Sequence, residues 1–261
     1  MVSERRAAVA GTFYPRQADQ VRELVDAYLR AVKPGECRPK ALIVPHAGFV
    51  YSGPIAASAY AQIQPYREVI RRVVLVGPSH RAAFRGLVTT TADYFLTPLG
   101  QVAVDQEAVS RLSKFPQVAA WDTPHIGEHC LEVQLPFLQV VLDDFQIVPV
   151  LVGDAKLTDV SEPLDALWGG DETLFVISSD LCHYQDYDFA RHLDHRTTRA
   201  IENLRFEDIG PDEACGCRAI GGLLELARRH HLQATALDVR NSGDTAGPKN
   251  QVVGYGAYAF V

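Results

Sequence analysis

Two apolar runs in this chain close on a histidine. "ALIVPH" ends at His46 and "RRVVLVGPSH" ends at His80, each imidazole standing at or just beyond a proline. A neutral imidazole is a common metal ligand and a ready acid or base near pH 7. Two of them on short loops after rigid strands can be aimed at one metal ion. Taken singly, each could instead pack or hydrogen-bond within its own loop.

A third histidine, His183, ends "SSDLCH", where Asp180 could orient an imidazole for acid/base work. Ser178, Ser179 and Asp180 are equally good helix N-cap types, so a capped turn accounts for them too. In "HIGEHCLEVQLPFLQVVL" the residues Glu128, His129 and Glu132 fall in the first turns of an expected helix. The macrodipole explains Glu128 there. It does not explain His129, which is read as a polar site residue with Glu132, one turn on, as its partner. Cys215 and Cys217, in "DEACGCRAIGG", sit at the start of an expected helix, where a thiol is a better ligand or nucleophile. A small buried hydrophobe is the plainer account of either. Cys37 is expected as an exposed loop thiol with no role. A Cys215–His183–Asp180 hydrolase is conceivable, but a triad leaves the other histidines unused.

The elements that must position these groups alternate along the chain. Ala41–Pro45, Val73–Val76, Ile147–Val152 and Leu174–Ser178 are continuous apolar runs, as in strands buried on both faces. Leu87–Phe95 with Gly100–Val104, Gln233–Asn241 and Val252–Val261 add further strands. Helical periodicity covers 18–32, 54–63, 105–114, 128–143, 159–168, 189–203 and 211–230. This predicts one α/β domain over residues 1–261, a mixed sheet with helices on both faces. In such sheets ligands bind beyond the carboxyl ends of the strands, where all three histidines would lie.

The 261 residues are 47% hydrophobic and 22% charged, with a formal net charge of −7. That acidic, dispersed balance excludes a nucleic-acid-binding stripe. No apolar run reaches the roughly 18 residues of a membrane span, and the N-terminus lacks the apolar core of a signal peptide, so a cytoplasmic protein is expected. Five cysteines at irregular spacing suit reduced thiols rather than a disulfide framework. The absence of G-x-G-x-x-G, Walker A, H-E-x-x-H and G-x-S-x-G motifs argues against a nucleotide cofactor, a zincin and an esterase.

The ordered set "AGTFYP", "PHAGFVYSG", "GPSH", "EHCLEVQLPFL", "SSDLCHY" and Cys215-Gly216 resembles the Memo family, whose microbial members are also called component B of the AmmeMemoRadiSam system. The resemblance implies a fold similar to the class III extradiol dioxygenases, which use non-haem Fe(II). It implies His46, His80 and Cys215 as metal ligands, His183 as the acid/base and His129 as a polar neighbour. Here "CGCRAI" has Ala219 where the family pattern has proline, and Cys217 adds a second thiol, so the choice between Cys215 and Cys217 stays open. Fe(II), copper and zinc all suit two imidazoles and a thiolate. Eukaryotic relatives are regarded as signalling adaptors, which implies a second role: Phe49, Tyr51 and Ser52 would then line a pocket for a small-molecule or peptide ligand. Other AmmeMemoRadiSam components are the partners this kinship implies.

Overall fold

The computed structural model describes residues 2–35 and 38–261; the thiol expected at Cys37 lies outside them. Four apolar runs form the middle of the sheet: β2 (Ala41–Val44), β3 (Arg72–Pro78), β8 (Gln146–Val152) and β9 (Thr173–Ser178). Their side chains are almost wholly buried on both faces, which is why they read as unbroken hydrophobic stretches rather than alternating ones. All pair in parallel, in the order β8-β3-β9-β2. β9 therefore lies between the strand that leads to His46 and the strand that leads to His80.

Among the described residues the sheet has eleven strands. One flank is built from β1 (Glu4–Arg5), β5 (Tyr94–Thr97) and β6 (Gly100–Val104), with β5 and β6 forming the expected antiparallel hairpin. On the other flank β11 (Gly254–Phe260) pairs antiparallel with both β2 and β10 (Ala234–Asn241). The expected strand over 87–95 is two strands. Its first part, β4 (Leu87–Thr89), leaves the hairpin to pair with β8 and with β7 (Val118–Ala120).

Helices cover both faces. α1 (Ala18–Arg30), α2 (Phe49–Tyr60) and α4 (Leu135–Val141) pack with one another, α2 lying on β2, β10 and β11. α5 (Leu157–Asp165) packs on α7 (Cys217–Arg229), which lies on β3 and β9, while α6 (Tyr187–Glu202) covers β10 and β11. A short α3 (Gln106–Leu112), capped by the Asp105 carboxylate on Ala108 N–H at 2.9 Å, packs near β8. α1 buries Val21, Val25 and Leu29 along one stripe, as its periodicity predicts. No helix among the described residues is long and apolar enough to cross a membrane.

The helix expected from Pro54 begins at Phe49, and two further helix starts that differ from the periodicity shape the site. The helix expected from Glu128 begins only at Leu135, after a 3-10 turn over Glu132–Gln134. Pro136 is tolerated only in a first turn, and the Glu128 carboxylate has already captured the N–H groups of His129 and Cys130. The helix expected from Pro211 begins at Cys217. Its approach is held back by Ser179, whose hydroxyl accepts Gly216 N–H at 2.9 Å. A Cβ on Gly216 would stand 2.7 Å from that of Ser179, so only glycine permits this approach.

Candidate metal centre

His46 follows β2 directly. Its backbone N–H donates to Asp180 Oδ1 at 2.7 Å, and its ring Nδ1 lies 2.9 Å from Ser178 Oγ. The serine hydroxyl donates to Cys130 C=O at 2.6 Å, so its lone pairs face Gln134 Nε2 at 2.8 Å and His46 Nδ1. His46 therefore carries its proton on Nδ1 and presents a bare Nε2. Gln134 is itself fixed, donating to Pro45 C=O and accepting from Tyr60 Oη.

His80 is held by the same logic. Glu128 Oε2 accepts its backbone N–H at 2.7 Å and Oε1 accepts its Nδ1 proton at 2.9 Å, which leaves Nε2 free. Burial alone would raise Glu128, but the ring and backbone hydrogen bonds from His80, with the N–H of Cys130, hold its carboxyl below the ordinary range. Burial, reinforced by neighbouring imidazoles, pushes His46 well below the usual histidine range, so the ring stays neutral.

Cys215 supplies the third donor. Its Sγ stands 3.4 Å from His46 Nε2, and one ligand atom each from His46, His80 and Cys215 lie within 4.8 Å of one another. The thiol also has the Asp180 C=O within reach as an acceptor, at 3.7 Å. With metal–sulfur and metal–nitrogen bonds of about 2.3 and 2.1 Å, a 3.4 Å edge subtends roughly 100° at an ion. The donors thus fit a metal without rearrangement of that edge. Burial, then the charge of Asp180, push the thiol up to about 12, so it stays protonated near neutral pH. That is the reverse of an activated nucleophile, and it weighs against the hydrolase reading.

His80, Glu128 and His129 make a second group with ligand spacing. Glu128 is not free to ligate, because both its oxygens already accept hydrogen bonds from His80, His129 and Cys130. It is the carboxylate that orients the His80 ring.

His129 stacks at 4.8 Å from His80 and meets His46 edge-on at 5.3 Å, with Phe13 against its other side at 4.8 Å. Burial lowers it to about 4, so it too is neutral. His183 is near enough for its charge to bear on His46, and burial lowers it as well. Its loop is strapped to the start of β11: Leu181 N–H donates to Gly254 C=O and Gly254 N–H to Cys182 C=O, both at 2.8 Å. The next residue, Tyr184, is held at φ +56°, a conformation that costs a non-glycine residue and recurs at functional sites.

Several expected roles are corrected. Glu132 does not partner His129; that place belongs to Glu128, whose Oε1 is 3.3 Å from His129 Nδ1. Glu132, fully buried, instead binds Arg5, the N–H groups of Ala8 and Val9, and Tyr14 Oη. Asp180 orients the backbone of His46, not an imidazole ring. Phe49 is core, packed between Tyr14 and Phe137, and Ser52 is buried with its hydroxyl on Ala47 C=O. Of the three expected pocket residues, Tyr51 alone is exposed. Cys217 sits a turn past Cys215, packed against the core and sharing with it the wall of a cavity of about 320 Å³, but it is not in the donor group.

Ser178, Gln134 and Glu128 are the residues whose part in the site the sequence did not disclose. Glu128 alone left a signal, since it directly precedes a histidine that the helix dipole could not explain.

In this α/β protein, imidazoles and a thiol gather beyond the carboxyl ends of the central parallel strands, with donor atoms at the spacing of a possible metal site. The family model described as "Memo-like protein" matches residues 5–259. A MEMO1 family protein of Aquifex aeolicus is 34% identical over 268 residues, covering 98% of this chain and 99% of its own. One from Aeropyrum pernix is 35% identical over 279 residues, covering 97% and 98%. The chain belongs to the Memo family. A crystal structure of an uncharacterized Escherichia coli K12 protein superposes with a TM-score of 0.52 at 14% identity, over 85% of this chain and 100% of that one, and shares the fold.

Proposed function

We propose that this chain is a redox metalloprotein that binds Fe(II) or copper through His46 Nε2, His80 Nε2 and Cys215 Sγ, with zinc as the redox-silent competitor. The carrying observation is that fixed partners hold Nδ1 of both imidazoles while one ligand atom each of His46, His80 and Cys215 lie within 4.8 Å of one another. Two nitrogens and one anion with further positions open is the arrangement of non-haem oxygen chemistry. A bound ion would supply Lewis acidity and electrons there. The chain supplies the rest: Ser178 and Glu128 fix the two rings, while neutral His129 and His183 stand ready to take or return a proton from a small-molecule or peptide substrate.

Metal analysis after anaerobic purification and reconstitution tests this reading. About one equivalent is expected in the wild-type protein, and loss of most of it in His46→Ala and Cys215→Ser. Negligible metal in all three overturns it.

A second reading, a binding module using the same mouth, is favoured by one feature. Tyr51 and Tyr184 present their rings to solvent, 39% and 69% exposed. Substrate turnover by the metal-loaded protein that depends on His183 would eliminate it.

A further inference from the structure

On the other side of the His183 loop, a cavity of about 600 Å³ opens between α6 and the end of β10. Its floor is Asp194, 3% exposed, with the carboxylate pressed against the backbone of Gly254. Among the described residues its hydrogen-bond donors are both on Cys182, the N–H at 3.2 Å and the thiol. An ionised carboxylate accepts about four hydrogen bonds, and a buried one is ordinarily paired with a cation. No ion pair among the described residues reaches Asp194, and Arg240 in the same cavity is engaged by Asp238 at 2.9 Å. Burial, against the bonds from Cys182, raises the carboxyl to about 6, as an uncompensated site should.

The rim has the opposite character. Arg191, His192 and His195 stand exposed on α6 around the opening. A bare metal ion would face this basic ring with one carboxylate beneath it, whereas hard cations need six or more oxygens. The other acid of the cavity, Asp244, is occupied by Tyr187 Oη and Asn241 N–H. A cation that pairs with Asp194 must therefore carry a negative charge of its own to satisfy Arg191 at the rim.

We infer that this cavity is a second binding site, for an amino-acid-sized zwitterion whose side-chain guanidinium pairs with Asp194 while its carboxylate faces Arg191. Both contacts are charge-assisted, and the one at the floor is made out of water, where it is strongest. The site stands whether or not the metal centre is redox-active.

Calorimetric titration of the full chain with L-arginine, agmatine and L-citrulline tests the inference. L-Arginine is expected to bind, with agmatine about fivefold weaker for want of the carboxylate and citrulline about tenfold weaker for want of the charge. Asp194→Asn lowers L-arginine affinity about tenfold or more. Arg191→Ala, at an exposed position that leaves folding untouched, abolishes the preference for L-arginine over agmatine. Citrulline binding as well as L-arginine, full affinity in Asp194→Asn, an unchanged preference in Arg191→Ala, or no heat from L-arginine at millimolar concentration would each overturn it.

Discussion

Glu128 holds His80 twice, through the backbone N–H at 2.7 Å and through the ring Nδ1 at 2.9 Å. One carboxylate thereby fixes both the position and the tautomer of a candidate metal ligand. Glu128→Gln keeps the shape but turns one acceptor into a donor aimed at another donor. Metal affinity should fall about 10–100-fold, measured by competition with a chelator of known strength. An unchanged affinity would mean that His80 does not bind through Nε2.

Ser178 plays the matching part for His46, and its loss is costlier to the fold. Ser178→Ala removes the shared acceptor of His46 Nδ1 and Gln134 Nε2 in a fully buried setting. A destabilisation of about 1–3 kcal/mol is expected from the unpaired donors. Urea unfolding gives the stability, and metal affinity of the folded fraction should drop in parallel.

Glu132 should behave oppositely, as a fold residue and not a site residue. Glu132→Gln leaves Arg5 buried without its counter-charge, a loss of about 3–5 kcal/mol for a broken buried pair. Metal bound per folded molecule should stay within twofold of wild type. A selective loss of metal at unchanged stability would return Glu132 to the site.

Asp194 sets a pH dependence whose sign follows from its raised pKa. The fold holds its proton more tightly than the unfolded chain does, so this acid favours the folded state below its ordinary 3.8, and that contribution is lost as pH rises through about 6. Asp194→Asn removes the loss. Its stability relative to wild type should rise between pH 4 and 6 by up to roughly 3 kcal/mol. Denaturation midpoints measured across that range check the slope, and parallel curves would show that Asp194 is paired in solution.

The strand ends that carry His46 and His80 were legible because buried parallel strands advertise themselves as apolar runs, and the chain direction then places their carboxyl ends together. The residues that tune those histidines were not. Ser178 reads as a cap and Glu128 as a dipole partner, since each acts across the sheet on a residue 132 or 48 positions away. Local periodicity carries no trace of such pairs. β1 and β7 escaped notice for a related reason: two or three residues make a strand only when a neighbour is there to bond them. Phe49 and Ser52 were misplaced because α2 starts at Phe49, before Pro54, and turns both side chains inward.

The place of β11 has a consequence for biogenesis. This last strand sits inside the sheet, between β2 and β10, and it also straps the His183 loop. During synthesis β2 therefore waits more than 200 residues for its second neighbour, and Cys215 arrives more than 130 residues after His80. A nascent chain that stops between His80 and Cys215 has both imidazoles of the group formed by His46, His80 and Cys215 but not its thiol. This group is therefore assembled late in synthesis, only after the chain has passed Cys215.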